Sequence, residues 1–219
     1  LLTGGEMMNA QEKRPPMIEE TRSGTVKHIK EALRHLGRDE RGWHGAETEN
    51  FSIFGSSKEE VERVGTTIEK IRSDVRLKWC KAVGSKWDTR CQVYLHPDGD
   101  QYTRASGIPK TISGGSVIMM DSGRVVRRTI HLRMVAHDIH DSVLPHEVTH
   151  TSMAGEFDGV YPPRWVDEGV AVLAEPKASR DRHTKQLPNL RKQHGLYTVE
   201  QIFGLKEYPE SKYTQLFYS

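Results

Sequence analysis

The stretch Leu144–His150, which reads LPHEVTH, decides the fold. Side chains four residues apart lie on one face of a helix, so His146 and His150 are expected to project side by side and to hold one zinc ion. Glu147 lies beside that position, where a carboxylate can activate a zinc-bound water by taking its proton. Pro145 suits the first turn of a helix, so the sequence predicts a helix that begins at about Leu144.

A second element, Pro163–Ala171, offers the third protein ligand that a catalytic zinc usually has. It reads PRWVDEGVA and contains Glu168, which a loop and a turn of helix can return to His150. The proline at its start predicts a helix from Arg164 to about Ala174. Gly169 is expected to allow close packing against the metal helix. A His-Glu-x-x-His stretch also arises by chance on inert surface helices, and the second element at a suitable distance favours the metal site over that alternative.

These two elements together resemble the gluzincin branch of zinc metallopeptidases, and more closely the bacterial peptidase MA-like domains. The resemblance implies zinc-dependent hydrolysis of peptide bonds, with zinc ligands at His146, His150 and Glu168 and with Glu147 as the catalytic base. It covers residues 129–175 most closely.

The same resemblance extends more loosely over residues 50–219 and implies a fold. The expected fold is an α+β, zincin-like metalloprotease domain, in which a small mixed sheet packs on the active-site helix and the C-terminal part is helical. In such domains a sheet edge above the cleft pairs with the extended substrate, and Thr129–Val135 is the candidate edge. The expected partner is therefore a peptide or protein substrate.

The chain departs from the thermolysin-like pattern in one place. Those members carry an Asp four residues after the third ligand, where this chain has Val172. Another acid would have to orient the ligating imidazoles, and Asp167 and Asp158 are the candidates, although both could equally be solvated loop acids.

The resemblance also calls for a donor to the developing oxyanion, often Tyr or His. Tyr218 is the first candidate and could instead be a core aromatic residue, while Tyr213 and Tyr161 are weaker alternatives. Because the chain ends where a later gluzincin helix would begin, the C-terminal helices are expected to lie beyond Ser219.

The rest of the chain divides at about residue 50. Residues 1–49 are expected to be an N-terminal tail, with one short helix at 24–36 and a linker at 37–49, and residues 50–219 to be the peptidase domain. Alternating patterns predict strands, and Ser57 and Thr198 each precede a capping signature that predicts a helix. The polar stretch Lys177–His194 is expected to be an exposed connection. The predicted strands are 51–54, 92–96, 116–120 and 129–135.

Composition excludes two classes of function. The chain has 219 residues, of which 35% are hydrophobic and 28% charged, with 32 basic and 30 acidic residues and a net charge of +2. This balance argues against a dedicated nucleic-acid binder. No apolar run reaches the roughly 18 residues of a membrane span. The chain begins at Leu1 instead of Met, so the natural start is expected to be missing, and a secretory leader could have preceded it.

The cysteines bear on the compartment. Cys80 and Cys91 could form a disulfide between a helix end and the next strand, which would place the protein in an extracellular or periplasmic compartment. The alternative is two reduced thiols.

Three functions are compatible with these features. The first is a zinc peptidase, and the lack of a motif for a free amino terminus favours an endopeptidase. The second is a catalytically weak zinc-binding interaction module of a larger extracellular protein. The third is a non-enzymatic domain with a coincidental motif.

Overall fold

A mixed sheet with helices packed against it forms the architecture, and the computed structural model of the protein describes residues 33–205. Within these residues the fold is mixed α+β, with one six-stranded sheet and six α-helices. The strands are β1 (Arg34–Arg38), β2 (His44–Glu47), β3 (Phe51–Gly55), β4 (Cys91–His96), β5 (Gly114–Asp121) and β6 (Arg124–Arg133). The helices are α1 (Lys58–Cys80), α2 (Gly99–Ser106), α3 (Leu144–Met153), α4 (Arg164–Val172), α5 (Lys177–His194) and α6 (Val199–Gly204).

The strands lie in the order β1-β2-β3-β4-β6-β5. The central strands β3, β4 and β6 are parallel, while β1 and β2 on one side and β5 on the other pair antiparallel with their neighbours. The sequence prediction of strands at 51–54, 92–96 and 116–120 is confirmed. Phe51 and Ile53 alternate inward with no exposed surface, which is the period-two burial that predicted β3.

Helix α1 connects the parallel strands β3 and β4 and covers the inner face of the sheet. Its N-cap is Ser57, whose hydroxyl accepts a hydrogen bond from the amide of Glu60, as the sequence predicted. Val61, Val64 and Ile68 are at most 1% exposed and join the core of the sheet. Burying each of these side chains stabilises the fold by about 1.5–3 kcal/mol.

Strand β6 is an interior strand, so the predicted edge at 129–135 is wrong. Residues 129–133 pair with β4 on one side, and β6 also pairs with β5 on the other. The edge on this side of the sheet is β5. The alternating pattern identified a strand here, but it carries no information about how many neighbours a strand has.

The N-terminal strands correct the predicted linker. Residues 34–47 form the β1–β2 hairpin and extend the sheet, whereas the sequence placed 37–49 in a linker and the start of the folded domain at Asn50. Residues 34–36, assigned to the end of a helix, lie in β1, and the part of that predicted helix before residue 33 lies outside the described residues. The side chain of Leu36 packs over Gly45 of the neighbouring strand, where a Cβ would lie 3.2 Å from the Cβ of Leu36. The glycines and charged residues of this stretch resemble a linker in the sequence, whereas pairing with β3 holds the hairpin in the sheet.

Two further helices were not predicted. Asp98, placed in a turn after β4, caps α2 by accepting hydrogen bonds from the amides of Asp100 and Gln101. The stretch Lys177–His194, expected to be an exposed connection, is the helix α5. The predicted capping box at Thr198 is confirmed at the start of α6.

The expected disulfide is not formed, because both cysteines are free thiols. Cys80 lies at the end of α1 with its sulfur 3.9 Å from the sulfur of Met153, and Cys91 is fully buried in the core. The extracellular or periplasmic location therefore stays a prediction. None of the helices in residues 33–205 combines the length and the apolar character that crossing a membrane requires.

Candidate metal centre

Helix α3 carries the decisive stretch and begins where Pro145 predicted. A π-helical turn, Ile139–Val143, leads directly into it, and Pro145 occupies its first turn. π-Turns within helices often occur at functional sites. The helix lies between α1, α4 and the sheet, which accounts for the burial of most of its residues.

The three predicted ligands meet at one point. The Nε2 atoms of His146 and His150 lie 3.4 and 3.5 Å from the same oxygen, Oε2 of Glu168. One potential ligand atom from each residue lies within 4.8 Å of the other two. Ligand atoms about 2.1 Å from a tetrahedral ion lie about 3.4 Å from each other, so the distances of 3.4 and 3.5 Å are compatible with an ion of that size between these atoms. The residues therefore fit a metal ion.

The other nitrogen of each imidazole is held by a carboxylate. Nδ1 of His150 lies 2.9 Å from Oδ1 of Asp167, and Nδ1 of His146 lies 2.9 Å from Oε1 of Glu175. A carboxylate at Nδ1 places the proton there and leaves the lone pair of Nε2 for a metal. Asp167 is one of the two acids that the sequence singled out. Asp158, the other, lies in a loop with positive φ and makes no hydrogen bond to either imidazole in the described structure.

The sequence did not predict Glu175 as a site residue. In the structure, several hydrogen bonds hold its carboxylate. The hydroxyls of Ser142 and Ser179 donate to its Oε2 at 3.1 and 2.5 Å, and Nε2 of His183 lies 3.4 Å from that oxygen. Ser142 comes from the π-turn, while Ser179 and His183 come from α5. These contacts fix the carboxylate that orients His146, so α5 has a structural role at the site.

The three candidate ligands shift one another's pKa values. Burial by itself would lower the pKa of His146, but hydrogen bonds to Glu168 and Glu175 outweigh it and raise that pKa to about 9. Burial opposes ionisation of Glu168, yet its hydrogen bonds to the two imidazoles hold its pKa well below the usual range. The site thus concentrates negative charge around the two imidazoles, which is the environment that a divalent cation favours.

Glu147 adjoins this cluster without belonging to it. Its side chain is buried, and burial raises the pKa of its carboxyl, whereas His146 and His150 act in the opposite direction. Strand β5 crosses directly over it, since a Cβ added to Gly114 would lie 3.1 Å from Oε1 of Glu147. A buried carboxyl with a raised pKa beside a metal position is suited to general-base chemistry, because it binds a proton more readily than an exposed carboxyl.

Glycine is required at position 114 but not at position 169. A Cβ at residue 114 would come within 2.4 Å of Val143 Cγ1, whereas one at Gly169 would meet no atom within 4 Å. The expectation that Gly169 allows close packing against α3 is therefore wrong, because Gly169 lies on the exposed side of α4.

We expect Gly114→Ala to lower the free energy of unfolding by about 1–3 kcal/mol, since the added methyl group overlaps Val143 and crowds Glu147. The matched change Gly169→Ala, at an open helical position, is expected to raise it by about 0.5–1 kcal/mol. Urea unfolding measures both changes. Equal effects of the two substitutions would contradict this account of the β5–α3 contact.

Of the three tyrosines considered as oxyanion donors, only Tyr161 lies within the described residues. Tyr218 and Tyr213 lie outside the described residues, so those predictions stay open. The hydroxyl of Tyr161 donates to Oδ2 of Asp167 at 3.3 Å, which places it behind His150. In this arrangement Tyr161 supports the carboxylate that orients a ligand.

Glutamine in place of Glu175 is expected to weaken zinc binding about 10–100-fold, because the amide cannot both hold the Nδ1 proton of His146 and supply the negative charge. Competition with a chromophoric chelator measures the affinity. Glu200→Gln, an exposed glutamate on α6, is the matched control and should leave the affinity unchanged. An unchanged zinc affinity in Glu175→Gln would show that the contact between Glu175 and His146 does not strengthen metal binding.

No protein-family model matches the chain, and no curated protein is similar to it at a significant level. The function of the site is therefore inferred from its own geometry and chemistry.

Proposed function

We propose that the protein is a zinc-dependent peptidase of the gluzincin type with a zincin-like fold. The observation that supports this most directly is the convergence of His146, His150 and Glu168 on one point, with Glu147 beside it. An ordinary buried ion-pair cluster would not require both imidazoles to present Nε2 to one carboxylate oxygen while separate acids hold both Nδ1 atoms. That arrangement is the one expected of metal-ligating histidines.

The chain's own residues divide the chemistry between them. Zinc, when bound by His146, His150 and Glu168, would supply a water of lowered pKa and a positive charge that polarises a carbonyl group. Glu147 takes the proton from the attacking water and delivers it to the leaving amine. Because burial raises its pKa, the carboxyl accepts a proton more readily than an exposed glutamate does.

The substrate would lie along β5. This strand is the edge of the sheet next to the site, and it crosses Glu147 at Gly114. An extended peptide can add to such an edge through main-chain hydrogen bonds, with alternate side chains contacting the protein. Val117 and Met119 on β5 are 39% and 45% exposed, which offers apolar contact to a bound chain. Binding of an extended internal segment favours an endopeptidase.

The proposal is tested by metal analysis together with peptide hydrolysis. The protein is loaded with zinc, dialysed and analysed for bound metal, and then incubated with a mixed peptide library whose products are identified by mass spectrometry. We expect one zinc per chain and internal cleavages that stop after chelation and return when zinc is restored. Bound zinc without any cleavage would support the interaction module instead. A chain that retains no zinc would exclude both functions.

A further inference from the structure

A cavity lies on the outer face of the sheet, away from the metal centre. It has a volume of about 620 Å³ and is called here the outer-face pocket. Strands β4 and β6 form its floor, while α2 and the β1–β2 turn form its walls. Its floor faces away from α1 and α3, because His131 alternates with the core residues Ile130 and Leu132. The lining residues are Arg41, Trp43, Tyr94, His96, Gln101, Arg104, Ala105 and His131.

Four of the eight lining residues carry flat rings. His131 lies nearly parallel to both Tyr94 and His96, with centroid distances of 5.2 Å to each and interplanar angles of 20° and 15°. Trp43 meets His96 edge-on at 5.6 Å. Tyr94 on the floor and Trp43 at the wall are half-buried, so these two rings offer aromatic surface to another flat ring.

The two imidazoles form a buried pair. Nε2 of His96 lies 2.9 Å from Nδ1 of His131, and the two residues are 2% and 9% exposed. Burial lowers the pKa of both, that of His96 to about 4, so burial favours the neutral form of each ring. Each neutral imidazole has one N–H, and the N–H of one ring donates to the other ring in this pair. Of the two ring nitrogens outside this contact, one therefore carries a hydrogen and can donate, whereas the other can only accept. Nδ1 of His96 is buried without a hydrogen-bond partner among the described residues.

The charged groups at the rim are both cationic. Arg41 lies over the Trp43 ring at 5.0 Å and is held there by Asp39, to which its guanidinium donates at 2.7 and 2.9 Å. Arg104 is exposed, and its positive charge is one of the causes that lower the pKa of the nearby Asp98. The nearby Asp98 is bound by Gln101 and by the amides at the start of α2. Arg104 is therefore the guanidinium that remains available to an anion.

We infer that the outer-face pocket binds a small planar aromatic carboxylate, with its ring against Trp43 and the Tyr94–His131 stack and its carboxylate on Arg104. A ring satisfies the flat apolar floor, and a carboxylate matches the fork geometry of a guanidinium. The pocket volume falls within the usual range for small-molecule sites. This binding is independent of the proposed peptidase activity, since none of the lining residues belongs to the metal centre.

Binding of indole-3-acetate to the zinc-loaded protein tests the inference. NMR titration that follows the imidazole signals of His96 and His131 should show a saturable shift, with a dissociation constant on the order of 0.1–1 mM. Indole, which lacks the acid, and acetate, which lacks the ring, should each bind at least about tenfold more weakly. Because the probe could instead ligate the metal, signals of His146 and His150 are followed in parallel. Shifts confined to those two residues would overturn the inference.

Matched arginine variants locate the carboxylate. Arg104→Gln is expected to weaken indole-3-acetate binding about tenfold and to leave indole binding unchanged, because only the charged contact is lost. Arg124→Gln, an exposed arginine at the opposite end of β6, should bind like the unmodified protein. Trp43→Leu should weaken the binding of both indole-3-acetate and indole. No saturable binding to the unmodified protein, or equal affinities of the two arginine variants for indole-3-acetate, would refute the inference.

Discussion

Replacement of Glu147 by glutamine is expected to lower kcat/KM for peptide hydrolysis by about 10²–10⁴-fold while zinc stays bound. The amide keeps the shape of the side chain but cannot accept a proton from the attacking water. Glu147 is not among the three residues whose ligand atoms converge, so its loss should not release the metal. Initial rates on a peptide identified as a substrate, together with metal analysis of the same preparation, measure the two quantities.

The stability of this variant provides an internal check. Glu147 is buried and its pKa is raised by burial, so a neutral amide should fit the site without lowering the free energy of unfolding. Glu49→Gln, an exposed glutamate in the turn between β2 and β3, is the matched control and should retain full activity. A Glu147→Gln protein that binds zinc, folds normally and still cleaves peptides at the unmodified rate would exclude Glu147 as the base.

Replacement of Glu168 by glutamine is expected to have the second large effect, a loss of zinc affinity of about three orders of magnitude. Glu168 is 3% exposed and contributes the oxygen that faces both Nε2 atoms. The substitution removes the negative charge from the ligand set and replaces a strong ligand by a weak one. Peptide hydrolysis should disappear with the metal.

The zinc-dependent rise in melting temperature measures this loss in the folded protein. A metal that binds only the folded state stabilises it by RT ln(1 + c/Kd), where c is the concentration of free zinc, so the unmodified protein should melt at a higher temperature with added zinc. Glu168→Gln should show little or no such rise at the same zinc concentration. Glu147→Gln should show the full rise and serves as the control. A full zinc response in Glu168→Gln would remove Glu168 from the ligand set.

Much of the local structure could be read from the sequence because it depends on short-range periodicity. The alternation in Phe51–Phe54 and Gln92–His96 requires only that one side of a strand be buried, and both became strands. The capping residues Ser57 and Thr198 act on the amides of the following turn, so α1 and α6 begin where these residues predicted. Such signals depend on residues three or four positions apart.

Other features depended on partners that are distant in the sequence. The strand at 124–133 was recognisable, but its interior position follows from β4 and β5 pairing on its two sides. The β1–β2 hairpin was missed because it is stabilised by pairing with β3, and its glycines resemble those of a linker. Helix α5 carries few buried residues, so its sequence lacks the apolar periodicity that indicates a packed helix.

The metal centre shows the same difference between features set by nearby residues and features set by distant ones. The spacing of His146 and His150 is set by the geometry of one helix, and Glu168 follows in a recognisable second helix, so the sequence by itself determined which residues lie at the centre. Only the tertiary structure decided which acids hold them. Glu175 reaches His146 because the chain turns after α4, and Ser179 of α5 packs behind Glu175. No local sequence pattern predicts that turn. A helical repeat acts over a few residues, whereas the orientation of each imidazole depends on contacts between separate helices.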